Sequence, residues 1–246
     1  MIKAVIFDID NTMYNFDRAH RTAMDALLDC GKKELGLEPE LLGGLIKETQ
    51  QKIISRLGMN DSAIHNRLIR FQCVLETLKD RDLTKALGMY HAYWDTILDV
   101  MKPEPGLTEL ISALHTAGIS VGVGSDMTAY IQFQKLARLN VLKDMSFIVT
   151  SEEAGAEKPS AEFFRLCVEK AGCLPGECVF IGDSLKKDVE GAEAFGLHGI
   201  WYCPGENSPE GNGRIEAGRR ITSFRDCLRE SRILLGDYEV KRCLRD

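Results

Sequence analysis

The 246-residue chain has no apolar run long enough to cross a bilayer and no signal peptide, since Met1-Ile2-Lys3 leads straight into a predicted strand. A membrane-spanning or secreted protein is therefore not expected. An excess of positive charge is also missing. Lys and Arg number 31 against 37 Asp and Glu, for a net charge of −6 and a pI near 5.5. That argues against the clustered basic footprint that nucleic acid or an anionic membrane surface requires. There is no Cys-x-x-Cys pair, no zinc-like Cys/His spacing and no internal repeat. The eight cysteines are Cys30, Cys73, Cys167, Cys173, Cys178, Cys203, Cys227 and Cys243. Several lie inside apolar periodic runs, as Cys178 does in Cys178-Val179-Phe180-Ile181. Without a secretory signal they read as buried reduced thiols in a reducing cytoplasm. The five histidines, His20, His65, His91, His115 and His198, show no ligand spacing and read as structural or surface residues.

What is present starts at the first strand. Ile2 to Phe7 is apolar apart from Lys3 and ends abruptly at Asp8-Ile9-Asp10-Asn11-Thr12. Such a β-branched run predicts a buried strand of a parallel sheet. Two carboxylates at its carboxyl edge are costly unless a cation lies between them. A hard oxygen-liganded dication, Mg²⁺, meets that need. Taken alone, Asp8 and Asp10 read equally well as turn formers or helix caps.

From Asp17 to about Val100 the period is helical. Arg18–Leu35 precedes Gly36, and Pro39 opens a second helix. Asn60 or Asp61 caps a third that runs to Leu78, and a fourth spans about Thr84 to Leu98. Tyr90, Tyr93 and Trp94, at helical spacing, are predicted bundle core. Pro103-Glu104-Pro105-Gly106 then punctuates the chain. Beyond it strands and helices alternate: helix Leu107–Ala117, strand Ile119–Gly124, helix Ala129–Leu139, strand Phe147–Val149, helix Ala161–Lys170, strand Cys178–Ile181, helix Lys187–Phe195 and strand Gly199–Tyr202. This predicts an α/β fold with a doubly wound parallel sheet and right-handed crossovers. Residues 15–103 form an inserted helical bundle, and residues 1–14 with 104–246 form the α/β unit. Cys203 to Gly218 reads as a surface loop, and Ile221 to Leu235 as a short strand and a closing helix. The last eleven residues receive no assignment.

Two further strand ends resemble the first in character. Val121-Gly122-Val123-Gly124 leads to Ser125 and Asp126. Val179-Phe180-Ile181-Gly182 leads to Asp183 and Ser184, with Asp188 just beyond. Glu157-Lys158-Pro159-Ser160 precedes a helix. A parallel sheet converges these termini on one edge. Asp8, Asp10, Ser125, Lys158 and Asp183 then line one cleft and supply a nucleophile, an acid/base, a hydroxyl, a cation and a further metal ligand. Phosphoryl transfer asks for that set. In isolation Lys158 would be a solvated helix-entry lysine; Ser184 reads as a turn or cap residue rather than a reactant, and a helix cap is the alternative for Asp188.

Four motifs in this order, Asp8-Ile9-Asp10-Asn11-Thr12, Ser125, Lys158-Pro159 and Gly182-Asp183-Ser184 with Asp188, resemble the haloacid-dehalogenase-like superfamily. The resemblance covers residues 1–14 and 104–203, and the insertion is similar to that superfamily's helical first-type cap over a Rossmann-like core. It implies a Mg²⁺-dependent phosphatase acting on a small soluble phosphomonoester. Asp8 is then the nucleophile that forms an aspartyl-phosphate, and Asp10 the general acid/base. Ser125 and Lys158 hold the phosphoryl group. Asp8, the Asp10 backbone carbonyl and Asp183 bind the metal, with Asp188 and Ser184 behind them. Many relatives place Asn-Gly after the hydroxyl residue, where this chain has Asp126-Met127, which leaves the role of Asp126 open. Asp10 disfavours a dehalogenase. A phosphomutase, with His20 at the start of the first inserted helix, and a non-catalytic binding protein on the same fold are the alternatives.

Overall fold

The computed structural model describes residues 1–59, 61–205 and 220–229. The chain enters through β1 (Ala4–Phe7) and leaves the sheet at once for a helical segment. This comprises α1 (Phe16–Leu35), α2 (Pro39–Leu57), a 3₁₀ turn (Ser62–His65), α3 (Arg67–Leu78) and α4 (Thr84–Val100). The chain then alternates through α5 (Leu107–Thr116), β2 (Ser120–Ser125), α6 (Ala129–Arg138), β3 (Phe147–Thr150), α7 (Ser151–Ala154) and α8 (Ala161–Ala171). It continues with β4 (Cys178–Gly182), a π-helical turn (Leu185–Glu190), α9 (Gly191–Phe195), β5 (His198–Tyr202), β6 (Arg220–Ile221) and α10 (Phe224–Arg229).

Among the described residues the sheet has six strands in the order β3-β2-β1-β4-β5-β6, and every pairing is parallel. The fold is the predicted α/β one, doubly wound and Rossmann-like. The strand order reverses direction about β1, so the crevice between the ends of β1 and β4 is where such sheets collect ligands. Both faces of the sheet are dry. Val5, Phe7, Val121, Val123, Val179 and Ile181 point to one side with Leu107, Ile111 and Phe224. Ala4, Ile6, Cys178 and Phe180 point to the other, against Phe163, Phe164 and Cys167. This two-sided burial is why the strands are continuous apolar runs rather than alternating ones.

Local chemistry sets the helix boundaries. The Asn15 side chain accepts the Arg18 N–H at 2.8 Å, so α1 starts at Phe16 and not at Arg18. It ends at Gly36, whose φ of 65° suits a residue without a Cβ. Pro39 occupies the first turn of α2, where its missing N–H costs nothing. The predicted third helix divides in two. Asp61 caps only the 3₁₀ turn, accepting Ala63 N–H at 2.8 Å. Asn66 then takes the N–H groups of Leu68 and Ile69 and starts α3 afresh. Asn60 lies outside the described residues. The predicted helix from Lys187 begins earlier, because Ser184 caps a π-helical turn from Leu185 by accepting Lys187 N–H at 3.2 Å.

Tyr93 and Trp94 are buried, as predicted for bundle core, and Tyr90 is half-buried. The strand and helix predicted from Ile221 appear as β6 and α10. The remainder of that segment, most of the loop from Cys203 to Gly218, and residues 236–246 lie outside the described residues. The described cysteines form no disulfide with one another, and Cys243 is outside them. No helix among the described residues is long and apolar enough to cross a membrane.

Candidate active site

Four chain segments deliver the predicted residues to one cavity of about 340 Å³. Its walls include Asp8, Asp10, Ser125, Asp126, Lys158, Asp183, Ser184 and Asp188. Parallel pairing places them there. The Asp8 N–H is still held by the Ile181 carbonyl at 2.9 Å, which keeps the ends of β1 and β4 in register.

Lys158 is the hub. Its ammonium donates to Asp8 Oδ1 and to Asp188 Oδ1, each at 2.7 Å. All three side chains are nearly inaccessible to solvent. Burial opposes the ammonium charge, but Asp188 and Asp8 more than offset it and hold Lys158 well above the usual lysine value. The other Asp188 oxygen accepts the Ser184 N–H at 2.9 Å. Asp188 is therefore committed on both oxygens, and its role as a mere helix cap is superseded. Ser184 caps the turn, its hydroxyl accepting Lys187 N–H, and its backbone N–H positions Asp188.

Asp8 and Asp183 have the opposite problem. Burial, with neighbouring carboxylates, raises Asp8 to about 7 and Asp183 to about 8. Carboxylate oxygens of Asp8, Asp183 and Asp188 lie within 4.8 Å of one another. Lys158 does not bond Asp183. Crowded acids of this kind, with hard oxygen donors, fit a divalent cation. Since Asp188 is occupied by Lys158 and Ser184, Asp8 and Asp183 are the side chains left to hold it.

Asp126 is paired and not a repulsive intruder. Its Oδ1 accepts the Lys158 N–H at 2.9 Å and its Oδ2 pairs with Lys187 Nζ at 2.9 Å. Against the effect of burial, Lys158 and Lys187 hold it below the usual carboxylate range. Ser125 is buried, and its Oγ accepts Gln132 Nε2 at 2.8 Å, which leaves the hydroxyl proton to donate.

Asp10 has partners that the motif reading missed. Lys135 on α6 donates to both its oxygens, at 2.7 and 2.8 Å, and the Tyr14 hydroxyl donates at 2.6 Å. Lys135 is fully buried and Asp10 is not. A signal was present. Ile131, Gln132, Lys135 and Leu136 share the buried face of α6, so a lysine and a glutamine occupy apolar positions of the period. A buried lysine needs an acidic partner.

The inserted segment contributes Phe16, His65, Arg67 and Arg70 to the cavity wall. His65 Nε2 lies 2.6 Å from Glu157 Oε1, so it is a cleft residue and not a scattered surface one. His20 instead bonds the Tyr93 hydroxyl at 2.7 Å and stacks on Phe16.

A family model described as haloacid dehalogenase-like hydrolase matches residues 2–196. The chain is 30% identical over 211 residues to a ribulose-1,5-bisphosphate 5-phosphatase of Halopiger xanaduensis, covering 85% of this chain and 87% of that one. It is 32% identical over 202 residues to a glyceraldehyde 3-phosphate phosphatase of Methanopyrus kandleri, covering 80% and 82%. Among solved structures, a HAD phosphatase from Thermococcus onnurineus shares the fold with a TM-score of 0.70 at 23% identity, over 93% of this chain and 97% of that one.

Proposed function

The chain belongs to the haloacid dehalogenase-like hydrolases and is a phosphoric monoester hydrolase, and on that premise we propose a Mg²⁺-assisted route through an aspartyl-phosphate on Asp8. The observation that carries it is the Lys158 bridge between Asp8 and Asp188, set beside Asp183 and Asp10 in one cavity. Asp8 attacks phosphorus and the ester P–O bond breaks. Asp10 gives a proton to the departing oxygen. Asp10 then takes a proton from water, whose oxygen attacks the phosphoryl group, and inorganic phosphate leaves with Asp8 restored. Lys158 offsets charge on the nucleophile and the phosphoryl oxygens. Ser125 donates its hydroxyl to one of those oxygens. Asp188 and Ser184 position Lys158. Asp8, Asp183 and the Asp10 carbonyl would hold Mg²⁺, which supplies charge neutralisation where anions gather.

Residues 15–103 act in this reading as a cap over a core of residues 1–14 and 104–246. The substrate is a small soluble phosphomonoester of the kind the relatives act on, met in the cytoplasm. With His20 held by Tyr93, no observation favours a phosphomutase. A binding protein would have no use for the Lys158 bridge.

Mass spectrometry after brief exposure to acetyl phosphate and Mg²⁺ tests the route. Asp8→Asn is expected to show neither turnover nor phosphoenzyme. Asp10→Asn is expected to accumulate phosphoenzyme and to lose about 10² to 10⁴ in rate on alkyl phosphates. A phosphorylated Asp8→Asn protein, or Asp10→Asn with wild-type turnover, would overturn it.

A further inference from the structure

Two guanidinium groups face the same cavity as Asp8 and have no anion of their own. Arg67 opens α3 and Arg70 follows three residues on, which places both on one side of the helix, over the cleft. Arg67 Nη2 donates to the Tyr93 hydroxyl at 2.6 Å, and the guanidinium lies 3.8 Å over that ring. Arg70 Nη2 donates to the Ile64 carbonyl at 3.1 Å. The Nε of each is buried without a hydrogen-bond partner. Neither forms an ion pair with a carboxylate among the described residues. Burial pulls both below the ordinary arginine value, and the proximity of Arg67 adds to the effect on Arg70.

The acids of the cavity wall are bonded elsewhere, and Asp10, whose charge favours the Arg67 guanidinium, makes no ion pair with it. Asp8 and Asp188 are held by Lys158, Asp10 by Lys135, and Asp126 by Lys187. Asp183 stands at the cation site. The scissile phosphate has its own partners on the sheet side, Lys158 and Ser125. A buried guanidinium left without an anion is unfavourable, and its planar fork matches a carboxylate or a phosphate. We propose that Arg67 and Arg70 form a second anion subsite, so that the preferred substrate is a phosphomonoester carrying a further carboxylate or phosphate at its other end. The inference rests on the phosphatase reading above for the placement of the scissile phosphate.

Calorimetric titration of the wild-type protein with Mg²⁺, using uncleavable phosphonates, reads the subsite without turnover. The probes are propylphosphonate, 3-phosphonopropionate and propane-1,3-bisphosphonate. At least one of the two doubly anionic probes is expected to bind about tenfold or more tighter than propylphosphonate. The larger gain identifies the second group as carboxylate or phosphate. In Arg67→Gln and Arg70→Gln the advantage is expected to shrink severalfold. Because Arg67 packs on Tyr93, Arg67→Lys serves as the fold-preserving variant and is expected to retain part of the advantage. Equal affinity for all three probes, an advantage that survives in both Gln variants, or a loss that is equal for every probe would overturn the subsite. A second arm compares hydrolysis of ethyl phosphate and carboxymethyl phosphate. No hydrolysis of either, with the binding advantage intact, sinks the phosphatase reading and leaves the subsite standing.

Discussion

Two buried lysines hold the candidate carboxylates, and removing each leaves a different residue behind. Lys135→Met deletes a fully buried ammonium and leaves Asp10, whose side chain is 24% exposed and still accepts from Tyr14. Asp10 can rehydrate, so unfolding free energy is expected to stay within about 1 kcal/mol of wild type. Lys158→Met instead strands Asp8 and Asp188, at 7% and 1% exposure, and is expected to cost about 3–5 kcal/mol at pH 8 without metal. Urea titration separates the two. In Lys135→Met turnover is expected to fall about tenfold or more, because the Tyr14 hydroxyl alone then orients Asp10; wild-type kcat would remove Lys135 from the site. Asp8 and the neighbouring Asp183 set a pH dependence. Asp8 and Asp183 have folded-state values raised to about 7 and 8 from an ordinary 3.8, chiefly by burial. Between the unfolded and folded values the native state binds more protons than the unfolded one. Their contribution to stability is therefore full below about pH 4 and is lost as pH rises through 7 to 8. Mg²⁺ held as proposed would bind the deprotonated pair and compete with those protons. The rise in Tm on adding Mg²⁺ is expected to be larger at pH 8 than at pH 5. An equal rise at both would mean that the metal binds elsewhere.

At the scale of elements, what is legible in the sequence is what depends on order along the chain. Strands buried on both faces must be apolar throughout, so β1, β2 and β4 and the polar residues at their ends can be read directly. Asp8, Ser125 and Asp183 converge because parallel pairing leaves their segments no other edge. Contacts between elements distant in sequence are not legible. Lys135 lies 125 positions from Asp10 and His65 lies 92 from Glu157. No local period links either pair. The bundle's third helix reads as continuous because Ile64 and Leu68 keep the apolar spacing through the Asn66 cap, so periodicity runs across a boundary set by one side-chain amide. Glycine shows the limit of pattern reading equally well. A Cβ on Gly182 would lie 2.3 Å from the Asp188 carboxyl carbon, and one on Gly122 would lie 2.2 Å from the Phe147 ring. The first glycine lets the π-helical turn press Asp188 against the end of β4, within reach of Lys158. The sequence shows the glycine but not what approaches it.

In the whole molecule the inserted bundle and the α/β unit meet across two linkers, and the cleft lies between them. The linkers are tied to each other, with Glu104 N–H donating to the Met13 carbonyl at 2.8 Å. Away from them the described polar contacts are few. His65 meets Glu157, and Arg138 donates to the Leu98 and Asp99 carbonyls. The apolar core runs through the junction by way of Met13, Tyr14 and Met101. Side chains without β-branching can repack there as the angle changes. Two adjoining linkers with a small set of breakable polar contacts would favour rotation of the bundle as a unit over internal deformation. Ligand at Lys158 and Ser125 on one wall, and at Arg67 and Arg70 on the other, would pull the two walls together and exclude bulk water from the cleft while the phosphoryl group is transferred to Asp8. Crystal structures with and without 3-phosphonopropionate and Mg²⁺ test this. Superposed on residues 1–14 and 104–205, the bundle is expected to be rotated about Asn15 and Met101–Pro105. Its own backbone, residues 15–103 without residue 60, is expected to change by less than about 1 Å. Glu157→Gln weakens the His65 contact and is expected to leave more of the free protein open, which small-angle scattering reads as a larger radius of gyration. A bundle that stays fixed on the sheet in every state, or one whose helices separate from one another on binding, would show that residues 15–103 are not a cap that closes as a body.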